Sequence, residues 1–258
     1  TGTDKIWGGA GNDLIDLAKG GKNTVYGEAG NDKIINIKGN AVVDGGADND
    51  TIIAISGSNT LKGGAGNDSI TGGSGNDNIY AGAGNDYINA GKGNNTIYLN
   101  ENEGTNTVVK GGGTDTLVFN DETDFSNLVF AYDETNENDL KITSNETTAV
   151  LKDYKPGNHS AKYIQVGNNK YRLVAKTDLQ DSIIGTSEND YIVATNDDDT
   201  ILSGRGNDII CSSTGNDTYI FNTGDGKDTL SYSSGNDIIT FNDINIDDLS
   251  DRKSTRLN

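Results

Sequence analysis

A single large apolar residue recurs every nine residues along most of the chain, and this period restricts the fold more than any other feature. An amphipathic helix needs a period of about 3.6 residues and does not tolerate frequent glycine, whereas this chain has 35 glycines in 258 residues. The pattern therefore excludes a helical repeat. The first series comprises Ile6, Ile15, Val25, Ile34, Val43, Ile52, Leu61, Ile70, Ile79, Ile88 and Ile97, with one ten-residue step after Ile15, and an eleven-residue step leads to Val108 and Leu117. The second series comprises Ile183, Ile192, Ile201, Ile210, Tyr219, Leu230 and Ile239.

Each nonapeptide is predicted to form a glycine-rich turn of six residues followed by a strand of three. The central strand residue is the apolar one, so its side chain points inward while its two neighbours point outward. Glycine suits these turns because it adopts backbone angles that other residues resist. Two nonapeptides then make one coil of a parallel β-solenoid, with two sheets of short strands facing each other.

The composition limits the possible partners. The chain carries 39 acidic and 20 basic residues, for a net charge of -19, and its mean hydropathy is -0.59. This acidity argues against nucleic-acid binding, and the combination of high charge and low hydropathy is typical of chains that do not fold unaided. No apolar run is long enough to span a membrane. The single cysteine, Cys211, excludes an internal disulfide framework and is interpreted as a small repeat side chain.

An aspartate two residues before most of the apolar positions is the candidate functional group. Coils of a solenoid are about 4.8 Å apart, so aspartates one coil apart stack and repel each other by about 3 kcal/mol at an effective dielectric constant near 20. A cation between the coils would relieve the repulsion, and ligands that are all oxygen favour Ca²⁺. The alternative for any single aspartate is a solvated turn residue.

The register assigns these aspartates to two edges of each block. One edge of the first block carries Asp13, Asp32, Asp50, Asp68 and Asp86, while the other reads Asp4, Asn23, Ala41, Asn59, Asp77 and Asn95. In the second block, Asp181, Asp199 and Asp217 share one edge, Asp190, Asp208 and Asp228 share the other, and Asp237 follows. We therefore expect a full calcium column on one edge of the first block and ions on both edges of the second.

The segments GGAGNDLID, GGAGNDSIT, GGSGNDNIY and SGRGNDIIC follow the pattern G-G-x-G-x-D-x-U-x, where U is a large apolar residue. This pattern resembles the RTX (repeats-in-toxin) haemolysin-type calcium-binding repeat. The resemblance covers residues 1–119 and 181–241 and implies an all-β, right-handed parallel β-roll that binds several calcium ions. It also implies a cage for each ion, in which the carbonyls of Gly64 and Gly66 act with Asp68, and the carbonyls of Ala81 and Ala83 act with Asp86.

The periodicity divides the chain into five segments. We expect a first repeat block at 1–119, a non-repeat β-rich insert at 120–180 that caps a solenoid end, a second block at 181–241 and a flanking segment at 242–250. The basic segment at 251–258 is similar to a translated sequencing adapter and is interpreted as an artefact.

The resemblance implies a calcium-binding module that folds after export and belongs to a larger secreted or surface protein, such as a cytolysin of a Gram-negative bacterium. Its partners would be calcium and a type I secretion apparatus, recognised through a C-terminal signal absent from this fragment. The alternatives are a calcium-rigidified adhesin or glycan-binding solenoid, for which Tyr26, Tyr80 and Tyr98 share a face, and the non-catalytic C-terminal part of a secreted protease or lipase. The sequence lacks H-E-x-x-H and G-x-S-x-G, so no catalytic function is expected.

Overall fold

The computed structural model describes residues 2–100, 103–119, 125–133, 136–154, 159–176 and 182–243. The chain divides into two compact units, Thr1–Leu173 and Val174–Asn258. The candidate ligand Asp181 and the segment at 251–258 lie outside the described residues. None of the described helices is long and apolar enough to cross a membrane.

Among the described residues of the first unit, the regular secondary structure is all strand except for one short 3-10 helix, η1 (Phe125–Asn127). The strands are β1 (Lys5–Ala10), β2 (Leu14–Asp16), β3 (Thr24–Ala29), β4 (Lys33–Lys38), β5 (Val42–Ala47), β6 (Thr51–Ser56), β7 (Thr60–Ala65), β8 (Ser69–Thr71), β9 (Asn78–Ala83), β10 (Tyr87–Asn89), β11 (Lys92–Gly93), β12 (Thr96–Leu99), β13 (Thr105–Val108), β14 (Gly112–Gly113), β15 (Asp115–Phe119), β16 (Leu128–Asp133), β17 (Asn136–Ser144), β18 (Thr147–Leu151), β19 (Ala161–Val166) and β20 (Asn169–Ala175), the last of which crosses the unit boundary.

Successive strands of the first unit alternate between two parallel sheets. One sheet pairs β1, β3, β5, β7, β9, β12 and β15 in that order, and the other pairs β2, β4, β6, β8, β10 and β13. Each step within a sheet therefore skips the strand of the other sheet, and near the end of the block it also skips one of the short strands β11 or β14, which is the connectivity of a parallel β-solenoid. The fold class predicted from the sequence is confirmed.

The predicted apolar series forms the core between these sheets. Ile52 pairs with Ile34 and Ile70 in one sheet, while Leu61 pairs with Val43 and Ile79 in the other, and all six side chains are fully buried. The strands of the first sheet are longer than the predicted three residues. Strands β3, β5, β7 and β9 run six residues each, because the pairing continues into the glycine-rich loop.

The segment between the repeat blocks extends both sheets of the first unit. Strand β18 pairs in parallel with β13, and β16, β17 and β18 form an antiparallel meander beyond it. On the other sheet, β19 pairs in parallel with β15 and in antiparallel with β20. The insert therefore adds antiparallel strands to parallel sheets.

The second unit repeats the alternation on a smaller scale. Its strands are β21 (Ile183–Ile184), β22 (Asp190–Val193), β23 (Thr200–Leu202), β24 (Ile209–Thr214), β25 (Thr218–Phe221), β26 (Thr229–Ser234) and β27 (Ile238–Phe241). One sheet pairs β21, β23, β25 and β27, and the other pairs β22, β24 and β26. A buried cluster that includes Ile192, Ile201, Ile210 and Tyr219 fills the space between them. Of the predicted series, Leu230 and Ile239 are exposed rather than buried.

Candidate metal centres

One oxygen of each aspartate on the first edge ties two coils together. The backbone N–H of Asp50 donates to Oδ1 of Asp68 at 2.7 Å, and the N–H of Asp68 donates to Oδ1 of Asp86 at 2.8 Å. The same bond joins Asp13 to Asp32 and Asp32 to Asp50, at 2.8 Å each. The structure thus stacks all five predicted aspartates in one column, which we call the aspartate column: Asp13, Asp32, Asp50, Asp68 and Asp86.

The second oxygen of each member has no hydrogen-bond partner. Oδ2 of every aspartate in the column is buried without a donor. Leaving a buried carboxylate oxygen unpaired is costly, because the protein supplies nothing in place of its hydration. Such an oxygen, repeated once per coil, indicates a place for a bound cation.

A backbone carbonyl of the following coil lies near Oδ2 in four of the five members, which are Asp13, Asp32, Asp50 and Asp68. A β-carbon placed on Gly63 would lie 2.3 Å from Oδ2 of Asp68 and 2.3 Å from the carbonyl oxygen of Ala81. The same arrangement occurs at Gly27, where a β-carbon would lie 2.3 Å from both Oδ2 of Asp32 and the carbonyl oxygen of Gly45. The first glycine of the loop therefore leaves open a space that two oxygens face.

The remaining predicted carbonyls lie where loops 63–68 and 81–86 contact each other. The carbonyl oxygens of Gly64 and Gly66 approach Gly82 and Gly84 of the next coil, at 1.9 and 2.0 Å from ideal β-carbon positions there. From the other side, the carbonyl of Ala83 accepts the N–H of Gly66 at 2.8 Å. With the carbonyl of Ala81 and the carboxylates of Asp68 and Asp86, the two loops supply six candidate oxygens, which is the lower end of calcium coordination.

The described residues contain no cluster of three or more His, Cys, Asp or Glu side chains that would suit a metal. An ion in the aspartate column must therefore draw on backbone oxygens. Carbonyl and carboxylate oxygens without nitrogen or sulfur are the donor set of a hard cation, so the residues fit Ca²⁺ and do not fit zinc or copper.

Burial raises the pKa of three carboxyl groups in the aspartate column, those of Asp50, Asp68 and Asp86. Burial, with smaller contributions from neighbouring carboxylates, raises the pKa of Asp50 and of Asp86 to about 7 despite the opposing effect of the backbone hydrogen bonds. Burial also raises the pKa of Asp68 and Asp77. A proton therefore competes with any cation for the carboxylates of Asp50 and Asp86 near neutral pH.

The asparagine before each aspartate has a role that the sequence analysis missed. Oδ1 of Asn67 accepts the N–H of Asn85 at 2.7 Å, while the N–H of Asn67 donates to Oδ1 of Asn49 at 2.6 Å. The side chain of this asparagine thus accepts a hydrogen bond from the coil that follows it, whereas the side chain of the aspartate accepts one from the coil that precedes it. The recurring Asn-Asp pair is the signal that could have indicated this division.

The opposite edge of the first unit is mostly neutral, as predicted. Asn59 accepts the N–H of Ala41 at 3.1 Å, and its own N–H donates to Oδ1 of Asp77 at 2.7 Å. Oδ2 of Asp77 is buried and unpaired, and so is Oδ2 of Asp115, which the sequence analysis did not select. Asp115 lies two residues before Leu117, so the apolar series itself contained the signal.

The predicted ligands of the second unit differ in whether their carboxylate oxygens have hydrogen-bond partners. Among its predicted ligands, Asp208 and Asp217 have buried, unpaired Oδ2 atoms, and burial raises the pKa of Asp208 to about 7. Oδ2 of Asp228 accepts the hydroxyl of Ser203 at 2.9 Å, and Oδ2 of Asp237 accepts the hydroxyl of Ser233. The other two predicted ligands, Asp190 and Asp199, are bonded to threonines within their own loops.

Sequence comparison gives the family. A profile described as RTX calcium-binding nonapeptide repeat (4 copies) matches residues 1–21, 17–35, 38–70, 53–88, 62–97, 71–105, 80–117, 184–219 and 220–239. These matches cover more than half of the chain, so the chain belongs to the RTX calcium-binding repeat family. Calcium binding is therefore implied for the module. A search of curated proteins found no match.

Proposed function

We propose that this chain is a calcium-binding module that stays unfolded until export and folds on calcium outside the cell, as part of a larger secreted or surface bacterial protein. The observation that carries the proposal is the row of buried, unpaired Oδ2 atoms in the aspartate column. Five stacked carboxyl groups disfavour the folded chain without a cation and favour it with one. Export by a type I apparatus, residence outside a Gram-negative cell and a cytolysin-like parent belong to the same proposal.

The test is calcium-dependent folding of the whole chain. Circular dichroism should show coil in chelator and β-structure in calcium, with a midpoint at about 10⁻⁴–10⁻³ M, where extracellular calcium modules bind. Magnesium at the same concentration is the matched control, because it demands a tighter octahedral site and gives up its water reluctantly. Equal β-content in chelator and calcium would refute the proposal.

We propose no catalytic role for this module. Outside the repeats, the two side chains with the most strongly shifted pKa are buried and hydrogen-bonded to the backbone, which favours a structural role for both. His159 is buried, its Nδ1 accepts the N–H of Ala161, and burial lowers its pKa to about 4. Tyr154 is buried beside it and donates its hydroxyl proton to the carbonyl of Leu173 at 3.1 Å.

A second candidate function, glycan or surface binding, rests on an aligned set of aromatic side chains. Trp7 pairs with Tyr26 at a centroid distance of 6.0 Å, and Tyr80 pairs with Tyr98 at 4.2 Å with parallel rings. All four occupy one register column on the outer face of the first sheet, with Lys62 beside Tyr80. We call this set the aromatic column.

The aromatic column can be tested with a glycan array probed in saturating calcium. Trp7 is 57 % exposed, and its ring offers a flat apolar face of the kind that sugar rings contact. Trp7→Ala should abolish binding, whereas Leu14→Ala, which changes a still more exposed apolar residue on the other sheet, should not. No glycan bound by the wild-type chain would exclude this candidate.

A further inference from the structure

Two loops of the second unit carry threonine where the repeat pattern has its second glycine. They are the loops GTSEND at 185–190 and ATNDDD at 194–199, which place Thr186 and Thr195 at that position. In several other loops this residue takes a left-handed backbone, with φ of +117° at Gly64, +86° at Gly204 and +64° at Ser213. Neither threonine has a positive φ, so both loops adopt a different turn.

In the first of these loops, threonine occupies the oxygen that other loops leave open. The N–H and the hydroxyl of Thr186 both donate to Oδ2 of Asp190, and the hydroxyl also lies 2.9 Å from Oδ1. The N–H of Glu188 in turn donates to the threonine hydroxyl at 3.1 Å. We call this closed arrangement of threonine and aspartate a clasp. Its two donors present their positive ends to Oδ2, where a calcium ion would have to bind.

The second clasp contains a protein cation as well. The N–H and the hydroxyl of Thr195 donate to Oδ2 of Asp199 at 2.8 and 2.9 Å. The ammonium group of Lys176 pairs with Oδ1 of the same carboxylate, which is almost fully buried. A buried carboxylate that already has three donors, one of them charged, needs no metal to offset its burial.

The next coil of the second unit shows that the clasp depends on backbone conformation. The N–H of Asp190 donates to Oδ1 of Asp208, and the N–H of Asp199 donates to Oδ1 of Asp217, so each pair shares an edge. Oδ2 of Asp208 and of Asp217 is nevertheless unpaired. The loop of Asp217 has Ser213 at the second position, but its left-handed φ prevents a matching clasp. A hydroxyl alone is therefore insufficient.

We infer that the Thr186–Asp190 and Thr195–Asp199 loops are calcium-independent turns, in which the clasp takes the place of the ion. The inference rests on the proposed calcium function, which it divides between loops. Calcium binding in the second unit then starts at Asp208 and Asp217. The two clasped loops stay folded at calcium concentrations too low to fold the other loops. They therefore provide a formed coil on which the neighbouring coils of the solenoid can fold.

The first experiment counts bound calcium in the whole chain by equilibrium dialysis at saturating calcium. Asp190→Asn and Asp208→Asn are matched variants, since the two aspartates occupy the same place in consecutive coils of one edge. Asp208→Asn should lower the count by about one ion, while Asp190→Asn should leave it unchanged. Equal losses from the two variants would overturn the inference.

A second variant keeps the test decisive if Asp190→Asn does not fold. Thr186→Gly removes the clasp hydroxyl and permits the left-handed turn, so the calcium count should rise above wild type. Ser213→Gly is its control, because Ser213 already has the left-handed backbone, and no change is expected. An unchanged count in folded Thr186→Gly would overturn the inference alone. A wild-type chain that binds no calcium would overturn the proposed function with it.

Discussion

Oδ1 of Asp68 accepts the backbone N–H of Asp50, 18 residues earlier, while Oδ2 of the same carboxylate is buried without a donor. One side chain therefore performs two separable tasks. The first oxygen joins adjacent coils whether or not an ion is present. The second is left for a cation, and a substitution that preserves only the first task can distinguish them.

Replacing Asp50 by asparagine should remove calcium sites while keeping the coil contact. Asparagine can still accept the N–H of Asp32, which now donates to Asp50 at 2.8 Å, but it carries no charge. Because Asp50 faces both neighbouring coils, we expect weaker binding at two sites and a severalfold higher calcium midpoint. Calcium titration followed by circular dichroism and dialysis measures both.

The matched control for Asp50 is Asn59→Ala on the neutral edge. This change removes acceptance of the N–H of Ala41 and should cost about 1–2 kcal/mol of stability. It also removes a side-chain donor to Asp77 on the same edge, but it should not change the number of ions bound in the aspartate column. Comparable losses of calcium from the two variants would mean that the assignment of edges is wrong.

Gly63→Ala tests the space beside the column without straining the backbone, because Gly63 does not have a left-handed φ. Its β-carbon would lie 2.3 Å from both Oδ2 of Asp68 and the carbonyl oxygen of Ala81, so the loop must shift. We expect weaker calcium binding and a loss of stability of about 1–3 kcal/mol by overpacking. Denaturant unfolding in calcium measures the loss of stability.

Gly112→Ala provides the comparison for Gly63. Gly112 also lacks a left-handed φ, and the nearest atom to its β-carbon would be a flexible lysine carbon at 3.4 Å. The change should be neutral or stabilise by about 0.4–1 kcal/mol through the unfolded chain. If both alanines behave alike, the oxygens beside Gly63 do not define a site.

Acidification should promote folding in chelator. Burial raises the pKa of Asp50, Asp86 and Asp208 to about 7, whereas the ordinary value is 3.8. Between these values the folded chain holds protons that the unfolded chain has released, so stability is highest below pH 3.8 and falls as pH rises through 7. Circular dichroism in chelator should therefore show more β-structure at pH 5 than at pH 8.

The single histidine acts in the opposite direction. Burial lowers the pKa of His159 to about 4 from 6.5, so its contribution to stability is present above 6.5 and is lost as pH falls through 4. One histidine opposes several raised carboxyls, so acid should still favour folding at pH 5. His159→Gln should enlarge the effect, and a greater β-content at pH 8 than at pH 5 would contradict the prediction.

The sequence was sufficient for the solenoid because its strongest signals are periodic. Ile52 and Leu61 are buried because each must face inward once per nonapeptide, and Asp50 and Asp68 stack for the same reason. Asp115 was missed because the edge assigned to the first block ended at Asn95, although the apolar series continued to Leu117. The sequence analysis predicted ligands from their position in the repeat. That position carries no information on hydrogen bonding within a loop.

The two clasps are hydrogen-bonded arrangements that position in the repeat did not predict. Asp190 and Asp199 occupy the same repeat position as Asp208, and the sequence analysis treated all three alike. Whether the carboxylate is held in a clasp depends on the residue four positions earlier. In these two loops that residue is a threonine, which does not adopt the left-handed backbone and donates to the carboxylate. The choice between a turn closed by an ion and a turn closed by a hydroxyl is a competition between conformations, which periodicity does not reveal.

Calcium binding to the aspartate column should be cooperative, and the cooperativity should depend on position. A site exists only when two coils are stacked, since its oxygens come from loops 63–68 and 81–86 together. Each ion bound therefore orders a coil that forms half of the next site, and binding free energy becomes folding free energy that passes between neighbours. We expect a Hill slope above one for the whole chain.

Asp68→Asn, with column members on both sides, should lower the slope more than Asp13→Asn, which has one neighbour in the column. Isothermal titration and circular dichroism measure the slope, and a shallow curve of independent sites, or equal effects of the two variants, would exclude this coupling.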